Sequence, residues 1–207
     1  MPGSLRSLEW TLLSLIGTLA LLPLASAVAQ DEAPPGLVEV KEGGRRGFWF
    51  SLGLGAGGES NDFAAGSGYT DPFYQPTISL RAGGTVSPHL RLGGEIHSWI
   101  NEEVDAVESL SSALIIGQFY PFRTAGLYLK GGLGIGRNAV EFDDGFDVGD
   151  TGFAALLGVG YELRLGRHFS LNPVIDLVGH TYDGRNGGDY RERLVNFGLG
   201  VIVQTSK

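Results

Sequence analysis

The sequence predicts an all-β protein, an eight-stranded antiparallel up-and-down transmembrane β-barrel that is preceded by a cleavable signal peptide. In residues 48–56, large apolar side chains alternate with small or polar ones. Successive side chains of a strand point to opposite faces, so this segment has one apolar face and one small, hydrated face. The pattern recurs about eight times, and the connections alternate between long and short, which is typical of a membrane barrel.

The N-terminal segment predicts export. Residues 10–24 are nearly all apolar but too short to span a bilayer comfortably, and small residues follow at Ala25, Ala27 and Ala29. We predict a signal peptide over residues 1–29, a polar periplasmic tail over 30–46 and the barrel over 47–205. An uncleaved anchor is the alternative, which we favour less because no later segment has the ~18 continuous apolar residues of a spanning helix.

The first four predicted strands differ in how clearly they alternate. The first has Phe48, Phe50 and Leu52 on one face, and the second and third are joined by a tight turn around Pro88. The fourth alternates least because apolar residues 114–116 are consecutive, so its register stays open. These strands are predicted at about 47–57, 74–86, 90–100 and 107–120.

The last four predicted strands alternate more regularly. Apolar side chains occupy every second position of each, while glycine, Tyr128, Lys130 and Asn172 take the other face. Short turns follow Pro121 and Gly166. We predict these strands at about 127–137, 151–165, 169–182 and 194–204.

The connection lengths predict an orientation. The segments 58–71, 101–106, 138–150 and 183–193 are read as external loops, and 87–89, 121–126 and 166–168 as periplasmic turns, with both chain ends in the periplasm. A soluble periplasmic β-sandwich or lipocalin-like barrel is the alternative fold. Glycine on the non-apolar face, aromatic residues near strand ends and short turns on one side only favour the membrane barrel.

Composition excludes several classes of function. The chain has no cysteine, so it has no disulfide, thiol nucleophile or thiolate metal site. Its net charge of −8 disfavours a nucleic-acid partner. The chain has 34 glycines among its 207 residues, well above the usual share of roughly 7%. They lie mostly inside the alternating segments, where a narrow barrel needs small inward residues.

Three segments carry a family resemblance: residues 47–55, 119–122 and 126–136. They resemble the small outer-membrane β-barrel superfamily, which includes porin-like and opacity-type proteins, over about residues 46–204. The resemblance implies the fold and a location in the outer membrane of a Gram-negative bacterium, and it does not imply an activity. Such barrels usually end in Phe or Trp, whereas this chain ends in Val203-Gln-Thr-Ser-Lys207, so either the alternation from Val195 to Val203 carries the assembly signal or the signal is displaced.

The inward face of the predicted strands carries a candidate polar network. An eight-stranded barrel is filled by its own side chains and has no aqueous pore, and buried charges there must pair. Counting back from the Pro88 turn sets Arg81 opposite Glu95, which predicts an ion pair, with Asp176 as the alternative partner for Arg81. The network comprises Arg81, Arg91, Glu95, His97, Lys130, Glu162, Arg164, Asp176 and His180.

Catalytic and metal-binding alternatives are weaker. The only candidates for a lipid-modifying site are His97-Ser98, whose side chains diverge, and His180-Thr181, which lacks a serine at the expected spacing. His97 with His180 could bind a metal, and the acidic segment 141–150 could bind Ca²⁺, but it lacks EF-hand spacing. We therefore expect no enzyme activity, no cofactor and no metal.

The sequence thus predicts a monomeric outer-membrane barrel with a structural or surface-interaction role. A lipid A deacylase-like enzyme and a channel for small apolar solutes are the alternative functions. The expected partners are outer-membrane lipids, lipopolysaccharide, the barrel-assembly machinery and an extracellular ligand held by the long loops, and nucleic acid is not expected.

Overall fold

The computed structural model describes residues 45–63, 68–102, 106–142, 147–183 and 189–205. No helix within these ranges is long and apolar enough to cross a membrane. The described residues form nine β segments: β1 Phe48–Asp62, β2 Phe73–Ser87, β3 Leu90–Glu102, β4 Ala106–Phe119, β5 Leu127–Phe142, β6 Asp147–Tyr161, β7 Leu163–Arg164, β8 Phe169–Tyr182 and β9 Tyr190–Gln204.

The segments close into a barrel of eight antiparallel strands, which confirms the predicted fold. Each of β1 to β5 pairs with the next segment along the chain, and β1 also pairs with β9. Segments β6 and β7 lie end to end against β8, so together they form one barrel strand. The interruption between them lies beside Pro173, which has no N–H to donate. The Asn172 side-chain amide donates instead to the carbonyl oxygen of Tyr161, at 3.1 Å.

The register determines the tilt of the strands. Following paired residues from Leu52 through every other strand leads back to β1 at Asp62, ten residues further along. This stagger requires the strands to tilt by roughly 40° from the barrel axis, as in other small barrels. We call the end with the connections at 88–89, 120–126 and 165–168 the turn end, and the opposite end the loop end.

The outer face of the barrel is an apolar band. Leu54, Ile115 and Leu157 are 65%, 79% and 68% exposed, although they sit in the middle of their strands. Such exposure is expected only where lipid, and not water, covers the surface. The band confirms the membrane barrel and contradicts the soluble alternative, in which the apolar face would be buried.

The structure settles the open register of the fourth strand. In β4, Leu114 and Ile116 are buried inside the barrel and Ile115 faces outward. The consecutive apolar residues arise because this strand places large apolar side chains on both faces. A turn centred on Pro88 predicts that Val86 pairs with Leu90, whereas in the structure Ser87 pairs with Leu90, after an irregularity that follows the Thr85–Arg91 pair.

Several strands extend further toward the loop end than predicted. Segments β1 and β5 continue to Asp62 and Phe142, and β6 and β9 begin at Asp147 and Tyr190. The predicted ends coincide with the end of apolar alternation. The strands extend beyond the apolar segments because their backbones remain paired there. Their outward side chains need not be apolar at this height, because the lipid does not reach it.

Candidate functional site

The barrel interior is the candidate site, and its turn end is held by Arg45, just before β1. Arg45 Nη2 donates to the carbonyl oxygen of Ala125 at 2.6 Å, and Nη1 donates to that of Arg123 at 3.3 Å. Its guanidinium lies 3.7 Å above the centre of the Tyr120 ring and 3.3 Å from Glu162. Burial lowers the pKa of Arg45, while the Glu162 carboxylate opposes that shift. Arg45 is thereby fixed to the turn end.

Glu162 joins Arg45 to a second buried arginine. Arg91 Nη1 lies 3.3 Å from a Glu162 carboxylate oxygen and donates to the Tyr120 hydroxyl at 3.1 Å. Arg91 also donates to the side-chain oxygen of Gln204 in β9. One carboxylate at the break between β6 and β7 therefore pairs with two cations, one just before β1 and one in β3.

The middle of the barrel contains a three-residue ion cluster. Lys130 Nζ in β5 lies 2.8 Å from a Glu95 oxygen in β3 and 3.0 Å from an Asp176 oxygen in β8. All three residues are at most 2% exposed. The three strands are not neighbours, so the cluster braces the barrel across its interior.

Arg81 does not form the ion pair that the sequence predicted. Its backbone does lie opposite Glu95, as the register count required. Its guanidinium instead donates to Asn172 at 2.9 Å, Ser51 at 3.2 Å and the Tyr128 hydroxyl at 3.3 Å. Glu95 and Asp176, the two expected partners, both bind Lys130, whose flexible ammonium satisfies the two acids together.

The two interior histidines differ in their hydrogen-bond partners. His180 Nε2 hydrogen-bonds Ser112 Oγ at 2.7 Å, while neither ring nitrogen of His97 has a hydrogen-bond partner among the described residues. Within the same described ranges no group of three or more His, Cys, Asp or Glu side chains could hold a metal ion. Ser98, the serine next to His97, hydrogen-bonds Ser111 Oγ at 2.9 Å and not the His97 ring.

Apolar side chains occupy the remaining interior. They come from most strands of the barrel and include two tryptophans that are at most 1% exposed. The Trp99 indole donates to the carbonyl oxygen of Gly57 at 2.9 Å. The cluster comprises Trp49, Trp99, Leu110, Leu114, Ile116, Ala154, Leu156, Val178, Tyr182, Leu194 and Ile202.

The comparisons with known proteins agree with this architecture. Residues 17–202 match the family described as outer membrane protein beta-barrel domain. The chain belongs to this family. It is therefore an outer-membrane protein of the Gram-negative type, which confirms the location predicted from the sequence.

Solved structures similar to this outer-membrane barrel are distant in sequence. Neisserial surface protein A shares 16% identity, with 75% of this chain and 97% of that chain covered and a TM-score of 0.52. Ail of Yersinia pestis, in complex with the heparin analogue sucrose octasulfate, shares 14% identity over 75% and 99% of the two chains, with a TM-score of 0.47. OprG from Pseudomonas aeruginosa shares 14% identity over 78% and 99%, with a TM-score of 0.40. No curated protein matches the chain.

The lipid-facing surface of this outer-membrane barrel has a concave region. A groove of about 560 Å³ lies where Ala82, Gly94 and Ala113 are smaller than the neighbouring Ile96 and Ile115. Its walls are almost entirely apolar side chains of β2 to β5.

The structure places the predicted network inside the barrel, with differences in detail. Eight of its members are buried and Arg164 is half-buried. Sequence reasoning missed Arg45, which was assigned to the tail, and the acids Glu59 and Glu192, which were assigned to loops. Both acids could have been found by extending the inward parity of β1 and β9 beyond the apolar band.

Proposed function

We propose that this protein is a sealed outer-membrane barrel, without enzyme activity or an aqueous pore, whose loop end takes part in interactions at the cell surface. The observation that carries the proposal is the filled interior. Fully buried side chains as large as Trp49, Trp99, Arg81 and Tyr128 occupy successive levels between the two ends. The Lys130 cluster crosses the centre, where a conducting path would have to pass.

Conductance in planar lipid bilayers tests the sealed interior. The refolded wild-type protein should give no discrete conductance steps, because an ion would have to displace buried, paired side chains. A Trp99→Ala, Lys130→Ala, Glu95→Ala variant, which removes large side chains at two levels, is the matched control for an opened interior. Steady steps from the wild-type protein at the level of the opened variant would contradict the proposal.

The enzymatic alternative has one specific observation in its favour, the Ser112–His180 hydrogen bond. Ser112 and His180 are only 3% and 2% exposed, and His180 Nδ1 has no hydrogen-bond partner among the described residues to orient the ring. A nucleophile needs both an oriented base and access to substrate. Mass spectra of lipid A from expressing cells should therefore be the same for wild type and Ser112→Ala, and a modification lost in the variant would establish an enzyme.

The surface role is tested on intact cells. Expressing cells should differ from cells lacking the protein in adhesion to surfaces or in retention of surface ligands. Mild proteolysis that trims the loops and leaves the barrel in the membrane should abolish the difference. A difference that survives loop removal would assign the role to the membrane-embedded part instead.

A further inference from the structure

The loop end of the barrel interior carries an arrangement of acids that the sealed barrel does not need. Glu59 in β1, Glu108 in β4, Asp150 in β6 and Glu192 in β9 lie at the loop end of their strands, beyond the apolar band. Glu59 and Glu192 are 8% and 2% exposed, whereas Glu108 and Asp150 are half-buried. We call these four residues the acidic ring.

Polar neighbours satisfy part of the acidic ring. The Asn138 side-chain amide donates to Glu192 Oε1, and the Tyr190 hydroxyl donates to Asp150 Oδ2 at 3.1 Å. The Tyr190 ring stacks on Tyr182, with centroids 4.7 Å apart. The contacts hold two carboxyl groups in place with neutral donors, and neither donor brings a positive charge into the ring.

Glu59 provides the observation that points to a ligand. Its side chain is more than nine-tenths buried, and its Oε1 atom has no hydrogen-bond partner among the described residues. In the register of β1 and β9, Glu59 lies opposite Leu194, so Glu192, two residues further along the same inward face, is its diagonal neighbour. A buried carboxyl group beside another acid is costly to ionise, and a cation that joins the two lowers that cost.

The middle of the same barrel shows how the chain handles buried acids elsewhere. There Lys130 lies within 3.0 Å of both Glu95 and Asp176. The ion pairs formed by Lys130, Arg45 and Arg91 lie closer to the turn end than the acidic ring does. The acidic ring is the corresponding cluster in which the cation would come from outside the chain.

We propose that the acidic ring binds an organic cation with two or more ammonium groups, the chemical class of the polyamines. A single metal ion fits less well, because the described residues contain no group of three acid or histidine side chains placed to hold one. Carboxylates on four separate strands instead match separated ammonium groups, each of which donates several hydrogen bonds. The proposal deepens the surface role proposed above, on which it rests for the source of the ligand.

Isothermal titration calorimetry tests the proposal on the purified, folded protein in detergent, with spermidine as the probe at pH 8 and low salt. Saturable binding is expected for wild type. Glu59→Gln and Glu192→Gln should each weaken it at least about tenfold, the effect of losing one charge-assisted hydrogen bond. Glu102→Gln, which removes an exposed carboxylate from the same end, should change the affinity less than about twofold.

Other outcomes would overturn the proposal. Absence of saturable binding would do so, as would an equal loss in Glu102→Gln, which indicates diffuse attraction to an acidic surface. Tighter binding of Mg²⁺ than of spermidine, lost in Glu59→Gln, would assign a metal site. Because the purified protein is used, these results do not depend on which end faces outward, so failure here and failure of the surface role are distinguishable. Heat-modifiable gel migration of each variant verifies that it is folded.

Discussion

Lys130 is the residue on which the middle of the barrel most depends. Its ammonium is the shared partner of Glu95 and Asp176, and each of the three side chains is almost completely buried. Removing one member of a buried ion cluster leaves uncompensated charge in a medium that solvates it poorly. The two acids would then repel each other, in addition to each losing its partner.

Lys130→Met should therefore destabilise the folded barrel by about 3–5 kcal/mol. Urea unfolding in lipid vesicles, followed by tryptophan fluorescence, measures the change. Lys130→Met combined with Glu95→Gln and Asp176→Asn should recover much of the loss, since no buried charge remains. Arg167→Met, which removes an exposed cation at the turn end, should change the free energy of unfolding by less than about 1 kcal/mol.

Arg81 offers a second test, because its backbone and its side chain point to different partners. A double-mutant cycle on unfolding should give a coupling of about 1.5–3 kcal/mol between Arg81→Met and Asn172→Leu, since the guanidinium donates to the Asn172 oxygen. The same cycle with Glu95→Leu should give a smaller coupling, because Glu95 is held by Lys130. A larger coupling to Glu95 would restore the ion pair predicted from the sequence.

The contrast between Arg81 and Lys130 shows what the sequence can predict about the site. Alternation determines which side chains point inward, and a tight turn determines which residues lie opposite each other. Which side chains form ion pairs depends on β3, β5 and β8, whose side chains come together across the interior only when the barrel closes. The register of two neighbouring strands contains no information about contacts across the interior. The set of inward-facing residues was therefore predictable from the sequence, and the ion pairs among them were not.

At the scale of elements, β6 shows both faces of the barrel in one strand. Leu157 is 68% exposed on the outer face, and Gly158 beside it faces the interior. Leu157→Arg should destabilise the lipid-folded state by about 2–4 kcal/mol, the cost of a cation near the middle of the bilayer. Thr151→Arg, on the outer face near the loop end of the same strand, should cost less than about 1 kcal/mol. Equal costs at the two positions, measured by urea unfolding in vesicles, would contradict the depth assigned to them.

Gly158 should respond to a different physical effect. A Cβ atom at this position would overlap the Asp176 carboxylate and approach the Ile175 carbonyl oxygen within 3.0 Å. Gly158→Val should therefore disturb the ion cluster by crowding, at a cost of about 1–3 kcal/mol. Unlike Leu157→Arg, it should cost the same in detergent micelles as in vesicles, because the lesion lies inside the barrel. A dependence on the lipid would show that the residue faces outward.

The ends of the elements were less predictable than their centres. Alternation in β1 stops near Gly57, yet β2 pairs with this strand as far as Glu59 and β9 pairs with it as far as Asp62. The apolar pattern extends only as far as the lipid does, whereas the paired backbone extends over the full height of the barrel. Glu59, Asp150 and Glu192 lie in the part of the strands beyond the lipid and therefore fell in segments predicted to be loops, while Glu108 fell within the predicted fourth strand.

The described part of the barrel interior has opposite charges at its two ends. Arg45, Arg91 and Arg164 lie at the turn end, together with Glu162, while the inward-facing charged side chains of the described strands at the loop end are the acids of the acidic ring. The polarity makes orientation decisive for function, since it determines which charge the barrel presents to the exterior. The lengths of the connections predict that the loop end lies outside the cell.

The orientation can be measured with single cysteines, because the chain has none of its own. Val148→Cys lies at the loop end and Arg167→Cys at the turn end, both at exposed positions. A membrane-impermeant maleimide added to intact cells should label Val148→Cys and leave Arg167→Cys unmodified. Permeabilising the outer membrane should make Arg167→Cys reactive as well, which controls for accessibility of the thiol. Labelling of Arg167→Cys alone on intact cells would reverse the barrel, and the acidic ring would then face the periplasm, where its cation would have to be found.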